Sequence, residues 1–276
     1  MKRFTLLAAG LTLVAATSGL ALLTGSSIAA SSLPTLTLGV TKNKVVVGGS
    51  KVSGAVNVVT TVTGEASDAP GLILLKPGVT AAQLGKVVGS LGEETPLDAI
   101  DPYATIVFDS ETVAKGKPGS AQVVLAPGNY VAVNNGNGFT PFTVTKSPAP
   151  ASLPAPGATV TAIDFAYRGA STLHDGELVR FENDGYLVHM VLYGELKSPA
   201  DAKPAEALLL AGKLNGAGAK YTVAHGEFAG PLSHGAMQQE VITQPPGTYV
   251  ILCGMNAEDG RDHYQLGMFR TITIVK

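Results

Sequence analysis

Two widely separated stretches of this chain end in nearly the same way. Pro127-Gly128-Asn129-Tyr130-Val131-Ala132-Val133 is followed by Gly138-Phe139-Thr140-Pro141-Phe142-Thr143-Val144. Pro246-Gly247-Thr248-Tyr249-Val250-Ile251-Leu252 is followed by Gly267-Met268-Phe269-Arg270-Thr271-Ile272-Thr273. Each reads as a turn, a strand, a loop and a closing strand. Upstream of each lies an apolar run followed by an Ala/Leu-rich, helix-like insert. These are Leu72-Ile73-Leu74-Leu75 with Ala81 to Leu91, and His189-Met190-Val191-Leu192-Tyr193 with Pro204 to Leu214. The repeated order points to a duplication, with each insert capping one end of its unit.

The units themselves are β. Short runs such as Gln122-Val123-Val124-Leu125, Thr159-Val160-Thr161-Ala162-Ile163 and Thr271-Ile272-Thr273-Ile274 sit between Gly/Pro turns, the pattern of an all-β antiparallel sandwich. Residues 147–156, rich in Pro and Ala, read as a stiff linker. They divide the chain into units of residues 31–146 and 157–276.

Residues 1–30 read as a signal peptide. Lys2 and Arg3 precede an apolar stretch from Phe4 to Leu23, and small residues follow, with cleavage expected after Ala29 or Ala30. The alternative is an uncleaved anchor, since the apolar stretch nearly reaches bilayer length. Loss of Lys2 and Arg3 takes the formal charge from −2 to −4. That balance argues against a nucleic-acid partner, and no second segment of membrane length is present. The expected location is therefore extracytoplasmic, in the periplasm or cell envelope, or secreted.

An exported chain with one cysteine, Cys253, has no internal disulfide, so the residue calls for another explanation. A buried thiol is the ordinary one. Its surroundings argue for more. Cys253 ends the strand opened by Pro246-Gly247, nine residues separate it from His263, and four separate His263 from Met268. Far upstream, an Asn183-x-Gly185 turn leads to His189 at the head of an apolar strand. Alone, His189 or Met268 reads as core. Together, one thiolate, two imidazoles and a thioether are the donors of a type 1 (blue) copper site, a near-trigonal plane with a weak axial sulfur.

Residues 157–276 thus resemble a cupredoxin, the plastocyanin and azurin family of type 1 blue copper proteins. The resemblance implies a Greek-key sandwich and one copper held by His189, Cys253, His263 and Met268 as metal ligands. It also implies one-electron transfer with a redox partner protein, and His263 as the ligand edge nearest solvent. His-x4-Met matches the plastocyanin pattern. The Cys-to-His interval, Gly254 to Asp262, is longer than in the small carriers. Similar long intervals occur in copper nitrite reductases and in secreted bacterial proteins with a Cys-x9-His-x4-Met ending. This polar loop is expected to bulge into solvent.

Copper oxidases and nitrite reductases flank the cysteine with histidine, whereas Leu252 and Gly254 flank it here and no His-x-His occurs. A non-enzymatic carrier is expected, with copper storage or delivery, or a copper-free interaction module, as rivals. Laid on the second unit, the first carries Asp68 at His189, Asn134 at Cys253 and Phe139 at Met268, so it reads as a degenerate cupredoxin-like domain without copper. His174, His225 and His234 read as surface residues. Met190, Met237 and Met255 are too dispersed for a methionine-rich surface. Glu258, Asp259 and Asp262 read as a solvated acidic loop, with steering of a basic partner the alternative.

Overall fold

The computed structural model describes residues 33–276 apart from 43, 65, 93–94 and 135–137. The expected signal peptide lies outside the described residues. The first half contributes β1 (Thr35–Thr41), β2 (Lys44–Gly49), β3 (Gly54–Val62), β4 (Ser67–Asp68) and β5 (Gly71–Leu75). After helix α1 (Ala81–Ser90) come β6 (Ala104–Asp109), β7 (Val113–Ala114), β8 (Gly119–Leu125), β9 (Gly128–Val133) and β10 (Phe139–Val144). The second half contributes β11 (Ala158–Ile163), β12 (Ala166–Gly169), β13 (Thr172–His174), β14 (Leu178–Asn183) and β15 (His189–Leu196). Helices α2 (Ala202–Leu210) and α3 (Leu214–Tyr221) precede β16 (Thr222–Leu232), β17 (Met237–Val241), β18 (Gly247–Leu252) and β19 (Phe269–Val275).

The protein is mostly β, and the two halves repeat one another. One sheet of the first half runs β2-β1-β3-β8 and its counterpart runs β12-β11-β14-β17; the others run β10-β9-β5-β6 and β13-β19-β18-β15-β16. Strands with alternating burial supply the cores. In β1, Leu36, Leu38 and Val40 point inward and are fully buried, as a period of two requires. The repeated Pro-Gly-x-Tyr motif has one physical role in both halves. Tyr130 and Tyr249 are fully buried, and each hydroxyl donates to the carbonyl four residues back, Ala126 at 2.9 Å and Pro245 at 2.6 Å. A buried hydroxyl needs such an acceptor, and these tyrosine corners fix where each strand begins.

Both helical inserts form. Thr80 and Gln83 make a capping box at the start of α1: Gln83 N donates to Thr80 Oγ1, and Thr80 N donates to Gln83 Oε1. The second insert, expected as one helix, is two. Gly212 takes a φ of +70° after α2, a left-handed residue that ends a helix.

The halves are joined by more than the linker. β8 pairs antiparallel with β17 through Val123–Gln238 and Gln122–Gln239, making one eight-stranded sheet across both halves. The Pro/Ala stretch lies along this junction: Ala55 N donates to Ala151 O and Gln239 Nε2 to Pro154 O. At another contact, Ser233 exchanges two bonds with Ile106, its Oγ accepting from Ile106 N and its N donating to Ile106 O.

Candidate metal centre

The loop between Cys253 and His263 is pinched at its neck. His263 N donates to Met255 O at 2.7 Å, Asn256 and Asp262 form an isolated antiparallel bridge, and Ala257 N donates to Arg261 O. Gln265 Oε1 accepts from Asp262 N at 2.8 Å and steadies the single 3-10 turn His263–Leu266. Most of the nine residues are therefore an excursion. Its tip, Glu258, Asp259 and Arg261, is exposed as expected, and Arg261 forks onto Asp259. Tyr264 N donates to Cys253 O and Cys253 N to Met268 O, so Cys253, His263 and Met268 are returned to one place.

His189 arrives from β15. Before it, Asn183 organises the turn: Nδ2 donates to Leu187 O and Leu232 O, and Oδ1 accepts from Gly185 N. The ring is oriented by Asp164, whose Oδ1 lies 3.1 Å from His189 Nε2 and also accepts from Leu187 N. Burial raises the Asp164 carboxyl, but the donors from Leu187 and His189 bring it below its ordinary value. An ionised carboxylate only accepts, so the His189 proton sits on Nε2 and the Nδ1 lone pair faces inward.

Three donor atoms converge there. Cys253 Sγ lies 3.4 Å from His263 Nδ1 and 3.7 Å from His189 Nδ1, and the two Nδ1 atoms are 3.2 Å apart. Among the described residues this is the one group of three or more His, Cys, Asp or Glu side chains whose ligand atoms all lie within 4.8 Å of one another. A point about 2 Å from all three donors lies at the centre of their triangle, near the length of first-row metal–imidazole and metal–thiolate bonds. All three residues are at most 1 % exposed, and Met268 is fully buried in the same core cluster as Cys253.

The electrostatics suit a metal. Burial pushes the Cys253 thiol up to about 12, while the Met190 and Met255 amides favour the thiolate; the Tyr167 hydroxyl donates to Met190 O. Burial, and then His189, push His263 down to about 4; burial also lowers His189, opposed by Asp164. Both imidazoles are therefore neutral near pH 7, the form that ligates. Two soft-to-borderline nitrogens and a sulfur with no hard oxygen donor fit copper in either oxidation state.

One expectation is corrected. His263 is fully buried, and its Nε2 has no hydrogen-bond partner. Phe165 packs edge-on against its ring, centroids 5.2 Å apart. Phe165 is the one non-glycine described with positive φ, +61°, in the two-residue turn between β11 and β12. Sequence reasoning passed over Asp164, Phe165, Tyr167 and Asp98. An Asp-Phe pair closing a hairpin where Gly is usual was the available signal. Asp98, from the first half, accepts a hydrogen bond from Val188 N beside His189.

The remaining histidines, His174, His225 and His234, are exposed. His234 Nδ1 bonds to Gly185 O, and its ring stacks on Tyr186. Met190 is core; Met237 and Met255 are half-buried. In the first half Asn134 Nδ2 donates to Asp68 Oδ2 at 2.8 Å, and Phe139 is 38 % exposed on β10. Among the described residues, no helix is long and apolar enough to cross a membrane.

No protein-family model and no curated protein matches the chain. Solved structures do. Reduced auracyanin from Roseiflexus castenholzii is 20 % identical over 43 % of this chain and 95 % of its own, with a TM-score of 0.27. Auracyanin A, a blue copper protein from Chloroflexus aurantiacus, is 18 % identical over 42 % and 95 %, at 0.26. The copper-containing nitrite reductase of Thermus scotoductus is 9 % identical over 88 % and 67 %, at 0.25. Likenesses this remote carry no argument about function, which rests on the geometry of the site.

Proposed function

We propose that the protein is an exported blue copper protein that binds one copper and transfers single electrons. In this reading the chain is two tandem cupredoxin-like Greek-key sandwiches, and only the second, residues 157–276, holds the metal. The observation that carries it is the inward-facing triangle of His189 Nδ1, His263 Nδ1 and Cys253 Sγ. Met268, buried in the same core cluster as Cys253, would supply a thioether sulfur to the metal. Copper, when bound, supplies the one-electron couple between Cu(I) and Cu(II).

The chain's own residues hold the geometry. Asp164 fixes the His189 ring, and the neck bond from His263 N to Met255 O fixes the other imidazole. Amide donors from Met190 and Met255 stabilise the thiolate. A rigid, buried donor set rearranges little between oxidation states. Near-complete burial also favours retention over release, which supports a carrier over a delivery protein. The first half, with the Asp68–Asn134 bond where the sequence aligns His189 and Cys253, is a docking and covering domain without copper. The test is a visible spectrum of the mature protein given one equivalent of Cu(II), alongside Cys253→Ser. An intense thiolate-to-copper band present in the parent and absent from the variant supports the reading; no band in the parent overturns it.

A further inference from the structure

The seam between the halves carries a second polar site, chemically unlike the first. Gln238, opposite Val123 at the β8–β17 pairing, is fully buried, and neither its Oε1 nor its Nε2 has a hydrogen-bond partner. Thr60 on β3 is 1 % exposed, and its Oγ1 is likewise unpartnered. Buried polar atoms of this kind are rare and point to an unseen occupant. Both side chains line one cavity of about 10 Å³, with Ser110, Glu111 and Glu240, room for a single water or ion.

The surroundings are acidic. Burial, then Glu111, push the Glu227 carboxyl up to about 8. Burial, then Glu111 and Glu227, raise Glu240 well above its ordinary value. Among the described residues, no lysine, arginine or histidine forms an ion pair with Glu111, Glu227 or Glu240. Glu227 and Glu240 are half-buried and Glu111 is exposed, and carboxylates drawn out of water without a cationic partner are costly when ionised.

We propose that this seam binds one hard divalent cation, calcium, through the carboxylates of Glu111 and Glu240, the amide oxygen of Gln238 and the hydroxyl oxygen of Thr60. An all-oxygen donor set selects a hard ion over copper. The carboxylates are not gathered within 4.8 Å, as the His–Cys–His donors are. Binding therefore draws the exposed Glu111 side chain inward, which calcium's irregular coordination tolerates better than magnesium's strict octahedron. Thr60 and Glu111 belong to the first half and Gln238 and Glu240 to the second, so the ion ties the halves together.

The test uses the mature full chain, stripped with EDTA and titrated with calcium chloride by calorimetry and by thermal unfolding. Saturable one-site binding is expected, with unfolding shifted up by several degrees. Both effects should vanish in Glu240→Gln and weaken at least tenfold in Glu111→Gln, an exposed position whose substitution leaves the fold intact. Cys253→Ser should keep both, which separates this site from the copper centre. A cavity that holds only water gives no heat and no shift at millimolar calcium, and that result overturns the proposal. So does a Glu111→Gln protein that binds as tightly as the parent.

Discussion

His263 and Met255 are joined by a 2.7 Å hydrogen bond from the His263 amide to the Met255 carbonyl, across the neck of a loop whose tip residues Glu258, Asp259 and Arg261 are exposed. The nine residues after Cys253 therefore do not lengthen the path between the two ligands. Replacing residues 257–261 with a short turn should leave the copper-bound visible spectrum unchanged. Loss of the spectrum on excision would show that the tip shapes the site.

Asp164 holds His189 by its Nε2 at 3.1 Å. Removing a carboxylate that orients a metal-bound imidazole typically lowers metal affinity about 10–100-fold. Asp164→Ala should show that loss in a competition titration with a copper chelator. Asp164→Asn, which keeps an oxygen acceptor, should recover part of it. Equal affinities in all three proteins would remove Asp164 from the account.

Phe165 is held at φ +61° against the ring of His263. A left-handed non-glycine costs about 1 kcal/mol or more, offset here by the ring contact. Phe165→Gly should therefore unfold at nearly the parent temperature. Its His263 should become reactive to diethylpyrocarbonate in the metal-free protein, where the parent's is shielded. Unchanged reactivity would mean that something other than Phe165 covers the ring.

The seam acids set a pH dependence of stability. Burial holds the Glu227 carboxyl up at about 8, so the folded protein keeps a proton that the unfolded chain has released. In that window the native state binds more protons, and stability falls as pH rises through the folded value. Asp109 and Glu240, both raised by burial, act in the same direction. The lowered histidines oppose this only below their unfolded value near 6.5. Unfolding temperature in EDTA should thus drop between pH 6.5 and 8.5, and Glu227→Gln should flatten the drop. A parent protein more stable at pH 8.5 contradicts the assignment.

What the sequence revealed and what it hid divide along a physical line. The two Pro-Gly-x-Tyr strands, the closing strands after them and the approach of Cys253, His263 and Met268 were readable because each depends on a motif within one stretch of chain. His189 was readable because the Asn183-x-Gly185 turn fixes it locally. The bond from Val188 to Asp98 spans 90 residues, and the β8–β17 pairing depends on two edges meeting. Neither leaves a mark in periodicity or spacing. The buried state of His263 was missed for a related reason, since its cover, Phe165, lies in a distant hairpin turn that looks like any other.

The central claim is that His189, Cys253, His263 and Met268 hold one copper in the type 1 manner. The most direct measurement is a combined visible and EPR spectrum of the mature protein loaded with Cu(II), with copper content determined per chain. One copper per chain is expected, with an intense thiolate-to-copper band, a type 1 EPR signal, and the loss of band and signal in Cys253→Ser. A protein that takes up no stoichiometric copper, or takes it up without the thiolate band, contradicts it.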